Sequence, residues 1–165
     1  MRGREKVPGH YRQHYYICHA GGIPGFSAFF GRFPDDDVSV ILLSNRHGFD
    51  AAGLARKICR LLFDLPPLVR TSVALRPETA QAMIGAYQST VFGAVEVSEE
   101  AGTLSLHWVK THALVPVSET SFRYMEDEDS EVHFENRNEQ GTYERLRVIQ
   151  PFFWFTAERV EHYVR

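Results

Sequence analysis

The sequence predicts an α+β chain in two parts. A short antiparallel sheet with one helix lying across it comes first, and a small antiparallel barrel of about eight strands follows. Three observations carry this. Residues 38–43 read Val-Ser-Val-Ile-Leu-Leu, nearly continuous in apolar residues, which suits a strand buried on both faces with a helix on one of them. An amphipathic helical segment follows at 49–63, and Pro66-Pro67 ends it. From Tyr87 to Val160 the texture changes to short alternating segments separated by polar turns.

Taken in order, residues 1–9 read as frayed, and strand character begins at Tyr11 or at His14. Residues 26–33 form a second strand, dense in aromatics, and Pro34-Asp35-Asp36-Asp37 turns the chain into the third. In the helical segment Asp50 suits the cap. Leu54, Ile58, Leu61 and Leu62 recur at helical spacing and mark the expected inner face, with Arg56, Lys57 and Arg60 mainly opposite. Pro77-Glu78 opens a short helix. Beyond it, Leu104, Leu106 and Trp108 alternate with Ser105, His107 and Val109, and Val132 and Phe134 alternate with Glu131 and His133. One wet and one buried face is what a small closed barrel requires. Glu99-Glu100-Ala101-Gly102 and Asn138-Glu139-Gln140-Gly141 supply hairpin turns. The expected organisation is therefore 1–66 as a sheet-and-helix piece, 67–84 as linker and short helix, and 85–165 as the barrel. The first piece is small for a stable core of its own, and the edges of its sheet need cover.

The 165 residues are 44% apolar and 13% aromatic, with a formal net charge of −3. This is an ordinary globular composition, and its mild acidity argues against a nucleic-acid partner. No apolar run is long enough for a membrane span, and no signal-peptide core follows the charged start. Cys18 and Cys59 carry neither metal nor redox spacing and read as buried thiols. The eight histidines form no zinc pattern, and Asp35, Asp36 and Asp37 lack the oxygen ladder of a calcium loop. No cofactor and no metal are expected.

The functional reading centres on residues 16–34, Tyr-Ile-Cys-His-Ala-Gly-Gly-Ile-Pro-Gly-Phe-Ser-Ala-Phe-Phe-Gly-Arg-Phe-Pro. Glycines at 21, 22 and 25 mean that backbone turns tightly here or lies close to a ligand. With the Phe-Pro-Asp turn and the Leu-Leu-Ser-Asn strand end, residues 11–63 resemble the C-terminal part of the penicillin-binding-protein-like serine hydrolases of peptidase family S12, the relatives of class C beta-lactamases. Residues 77–160, with Gly85-Ala86-Tyr87 near the start, resemble the small lipocalin-like barrel that follows the hydrolase domain in that group.

The resemblance implies catalytic positions at His19, Gly21 and Gly22. His19 would place a substrate carboxylate or assist proton movement, Gly21 would let substrate approach the strand, and the Gly22 N–H would be one of two oxyanion donors. Losing such a donor costs about 3 kcal/mol of transition-state stabilisation. The group's Ser-x-x-Lys and Tyr-x-Asn do not occur: the lysines are Lys6, Lys57 and Lys110, and none follows a serine by three. Ser27, Ser39 and Ser44 have no spaced base and read as structural.

The resulting expectation is the C-terminal fragment of a beta-lactamase-related serine hydrolase. The parent would cleave amide or ester bonds through an acyl-enzyme, and this chain would be inactive alone. A small-molecule or peptide substrate would bind only with an N-terminal half present. The alternative is a non-catalytic binding or regulatory module that docks on a separate hydrolase domain. Full-length relatives point to the periplasm or the exterior, whereas this chain carries no signal peptide.

Overall fold

The structure is a computed structural model that describes residues 7–46, 48–66 and 71–161. His47, Pro67 and the linker positions 68–70 lie outside the described residues. The chain divides into two compact units, residues 1–67 with Pro151–Phe153, and residues 68–150 with 154–165.

The first unit is a four-stranded antiparallel sheet in the order β1-β2-β3-β4, comprising Val7–Tyr11, His14–Ile23, Phe26–Phe33 and Val38–Ser44. A helix, α1 (Ala51–Leu62), follows. The segment expected to fray thus contains an edge strand. Pro8 costs such a strand little, because one side of it has no partner. Gly9 stands opposite Tyr16, and a side chain at residue 9 would collide with that ring. Pro24 and Gly25 turn β2 into β3, with Gly25 at φ 88°, a position that asks for glycine. The acidic turn is used internally. Asp36 accepts from His14 Nδ1 at 2.9 Å, Asp37 pairs with Arg32 at 2.5 Å, and the His14 ring stacks on Phe63 at 3.9 Å.

One face of the sheet packs on α1. Tyr16, Cys18, Phe29, Phe33 and Val40 are buried there with Ala51, Ala55 and Cys59 of the helix. Phe152 joins this cluster, its ring 4.9 Å from Tyr16 and 5.0 Å from Phe29. The expected inner face of α1 is corrected. The small residues Ala51, Ala55 and Cys59 face the sheet, whereas Leu54, Leu61 and Leu62 are exposed, Leu61 at 84%. The aromatic rings already fill the space above the sheet, so only a ridge of small side chains lets the helix approach. Asp50 caps the helix, accepting from Gly53 N at 2.8 Å.

The second unit is a closed barrel of eight strands, β5 to β12, preceded by the short helix α2 (Pro77–Met83). The strands are Gly85–Ser89, Gly93–Glu100, Thr103–His107, Thr111–Pro116, Ser121–Tyr124, Glu131–Arg137, Tyr143–Gln150 and Phe153–Val160. Tyr87, Phe122, Tyr124, Leu106 and Leu146 are among the side chains that fill the interior, as expected of a barrel with this number of strands. Arg159 ties α2 to the barrel. Its Nε donates to Tyr143 O at 2.6 Å, and its two terminal nitrogens donate to Ile84 O and Ala82 O, each at 2.9 Å. It also donates to the Tyr87 hydroxyl at 2.8 Å. Burial pushes the Tyr87 phenol up to about 12, partly offset by the Arg159 charge.

Candidate functional site

His19, Gly21 and Gly22 occupy the distal half of β2, where side chains alternate between faces. His19 pairs with Phe30 and Gly21 with Ala28, so both point away from α1. A side chain at residue 21 would lie 3.6 Å from His19 Cε1. Gly22 pairs with Ser27 and belongs to the opposite face. It lines a groove of about 310 Å³ together with Gly21, Ser27, Phe49, Asp50 and Ala51, beside the start of α1. Gly21 and Gly22 thus share the wall of one groove, while the His19 side chain lies on the face turned away from α1.

The neighbouring hydroxyls are engaged with backbone. Ser27 Oγ donates to Arg46 O at 3.5 Å, and Ser44 Oγ accepts from Arg46 N at 3.1 Å. The two thiols are buried, and burial pushes Cys18 up to about 11 and Cys59 up to about 12, away from the thiolate a nucleophile needs.

The barrel brings together groups whose sequence spacing gave no signal. Ser121 Oγ lies 2.9 Å from His133 Nδ1, and His133 Nε2 lies 2.8 Å from Glu131 Oε2. The Ser121 N–H is engaged by Ser118 Oγ at 3.0 Å, so it offers no oxyanion donor, and the relay serves as cross-strand stitching. A parallel chain links Ser98, His107 and Thr111, each contact 2.8 Å. Inside the barrel, His112 is 3% exposed, stacks on Tyr124 at 3.9 Å and meets Glu126 Oε1 through Nδ1 at 2.5 Å. Its Nε2 is buried without a hydrogen-bond partner. Burial lowers its pKa below the usual histidine value, and Glu126 opposes the shift. Among the described residues, no group of three or more His, Cys, Asp or Glu is placed to hold a metal ion. No helix among them is long and apolar enough to cross a membrane.

The most distinctive surface is the sheet face turned away from α1. The registers Phe30↔Ile41, Ala28↔Leu43 and Ile23↔Phe26 place these residues on one side, together with His19 and Ile17. Ile23 is 56% exposed, Phe26 56%, Phe30 39%, Ile41 61% and Leu43 83%. The solvated face of an antiparallel sheet is ordinarily polar. This one is apolar on both sides. Large apolar side chains exposed side by side in this way mark an interaction surface more often than isolated ones do. β4 also forms one edge of the sheet.

No family model matches the chain, and no curated protein matches it. Solved structures do. The fold is similar to that of SurE. A crystal structure of SurE with D-Leu aligns over 94% of this chain at TM-score 0.50 and 14% identity. A second SurE structure aligns over 94% at TM-score 0.51 and 18% identity. The octameric penicillin-binding protein homologue from Pyrococcus abyssi aligns over 88% at TM-score 0.35 and 16% identity. The chain spans 38% and 36% of the two SurE chains.

The SurE likeness corrects the expected family. The two SurE alignments at TM-score 0.50 and 0.51 carry the fold assignment, so the reading as a penicillin-binding-protein-like, beta-lactamase-related member of peptidase family S12 is withdrawn. The serine-hydrolase function and the acyl-enzyme expected from it are withdrawn as well. Much of the string that suggested them describes turn chemistry. Pro24-Gly25 and Pro34-Asp35-Asp36-Asp37 close hairpins, and Gly21 and Gly22 lie on opposite faces of a strand.

Proposed function

We propose that the chain is a protein-binding module whose apolar sheet face receives the surface of another polypeptide. The observation that carries this is the set of five large apolar side chains, Ile23, Phe26, Phe30, Ile41 and Leu43, exposed on one side of a sheet whose other side is covered by α1. Burying such a patch releases ordered water from all five at once, and the hydrophobic gain scales with the area removed. The short alignment to SurE supports a polypeptide as occupant, since this chain corresponds to little more than a third of those chains. On this reading residues 1–66 are the docking part, 67–84 connect, and 85–165 form a self-contained barrel. His19 and Gly21 lie within the docking face, where their small polar and backbone surface sets orientation.

The test is fluorescence anisotropy with a labelled amphipathic helical peptide carrying leucines at i, i+3, i+4 and i+7. Binding to the wild-type chain and its loss in Ile41→Glu, with the fold retained by circular dichroism, is the expected result. Unaltered binding in that variant refutes the proposal.

A second reading is favoured by the groove beside Gly22, which has the size and backbone-lined wall for a small amino-acid-like ligand. The D-Leu in one SurE structure suggests the first probe. A rise in melting temperature with D-Leu, absent in Gly22→Val, is expected. No shift at millimolar D-Leu removes this reading.

A further inference from the structure

We infer that the outer edge of β4 takes up an extended segment of another polypeptide as a fifth strand, paired through backbone hydrogen bonds. The inference stands apart from the sheet-face reading, because it uses the main chain of an edge and not the side chains of a face. β4 is the last strand in the order β1-β2-β3-β4 and pairs with β3 alone. Among the described residues, no hydrogen bond reaches its main chain from the outer side. Every second residue of Val38–Ser44 therefore turns an N–H and a C=O outward without a protein partner.

The two edges of the sheet are built differently. β1 carries Pro8, which has no N–H to offer, followed by Gly9. Proline, lysine, bulges and shortness are the usual guards of an edge strand. β4 has none of them. Its seven residues include no proline, no glycine and no charged side chain, and its register with β3 is unbroken from Val38 to Ser44. One edge is closed to pairing, and the other is an open template.

The layers on either side of the open edge suit a further strand. Val40 is buried towards α1, and Val38 and Leu42 pack against the same core. α1 itself packs over β3 and β4, the two strands at this end of the sheet. Ile41 and Leu43 stand exposed on the opposite face. An added strand thus has apolar neighbours on both of its faces, which calls for β-branched residues along its length. Charge marks its ends. The exposed Asp35 precedes β4, and the exposed Arg46 follows it. In the antiparallel pairing, the more stable of the two, the incoming strand begins near Arg46 and finishes near Asp35. An acidic residue at its start and a basic one at its end complement this edge.

The experiment uses the full chain and a labelled peptide of alternating valine and threonine that begins with glutamate and ends with lysine. Fluorescence anisotropy reads binding, and amide hydrogen exchange reads its place. The expected result is saturable binding with a several-fold slowing of exchange at alternate residues of Val38–Ser44. Binding is expected to vanish when every inner residue of the peptide is N-methylated, which keeps the side chains and removes the donors. Binding that survives N-methylation, or that slows no amide of β4, overturns the inference. A strand peptide that fails while the leucine-bearing helical peptide still binds overturns the fifth strand and leaves the sheet-face reading standing. A strand peptide that protects β4 while the helical peptide fails supports the inference and overturns that reading. Failure of both peptides overturns both.

Discussion

Protonation of His112 should destabilise the barrel, and the structure sets the sign and the scale. The imidazole is buried against Tyr124, and its Nε2 has no partner that would accept a second proton. Glu126 on Nδ1 favours the charged form, as does Asp127, and Lys110 disfavours it. The cost of burying the charge is the largest influence, so the folded pKa lies below the ordinary 6.5. The unfolded chain therefore takes up the proton first as pH falls. The stabilisation is complete above about pH 6.5 and is lost below it, with a slope approaching 1.4 kcal/mol per pH unit until the folded value is reached. The assay is urea unfolding followed by tryptophan fluorescence. Trp108 and Trp154 are the two tryptophans of the chain, and both belong to the barrel unit, so the signal reports that unit alone. Subtracting His112→Gln from wild type isolates the contribution of this one imidazole. A difference that stays flat between about pH 7.5 and about pH 5 refutes the account.

Three further outcomes follow from the packing. Arg159→Met should cost the barrel about 3 kcal/mol, because carbonyls of Tyr143, Ile84 and Ala82 lose one donor group together, and Arg159→Lys should recover little of it; the same urea titration reads both. Gly31→Ala should destabilise the sheet unit by about 1–3 kcal/mol, since the new methyl would sit 2.9 Å from the Phe29 ring in a filled core. Circular dichroism melting measures it, and an unchanged midpoint would contradict the packing. Cys59 should resist a thiol-reactive disulfide reagent at neutral pH until the chain is unfolded, because its thiol is fully buried and its pKa is pushed up to about 12; rapid labelling of the native protein would refute this.

The barrel was the most legible part of the sequence because its signal is local. Leu104 and Leu106 in β7, and Val132 and Phe134 in β10, alternate with polar neighbours, and the Ala101-Gly102 pair adopts the positive φ of a tight hairpin. The helix α1 was legible as a helix but not in its orientation. It carries two stripes, one of leucines and one of Ala51, Ala55 and Cys59, and hydrophobicity alone favours the larger side chains. The deciding quantity, the volume left by Phe29, Phe33, Tyr16 and Phe152, is not local. β1 was hidden because Pro8 and Gly9 read as breakers, and only the edge position makes them acceptable. The candidate site was legible only in part: Gly21 and Gly22 line one groove, while strand alternation puts the His19 side chain on the other face, which spacing within four residues does not reveal. The apolar outer face of the sheet, in contrast, was implicit in residues 38–43. Their continuous hydrophobicity called for cover on both sides, and α1 supplies it on one.

The placement of Phe152 bears on how the protein is made. The Cys18 thiol donates to the Phe152 carbonyl across 134 positions of chain at 3.5 Å, and the Phe152 ring sits among Tyr11, Tyr16, Phe29 and Phe33. During synthesis the sheet and its helix leave the ribosome well before Phe152, one of the rings that fills their core, has been translated. The first unit must therefore wait, with part of its aromatic surface open, until seven of the eight barrel strands have been made. Its maturation is tied to translation of the barrel, and a ribosome that stalls within the barrel leaves behind a nascent chain with an unfinished core.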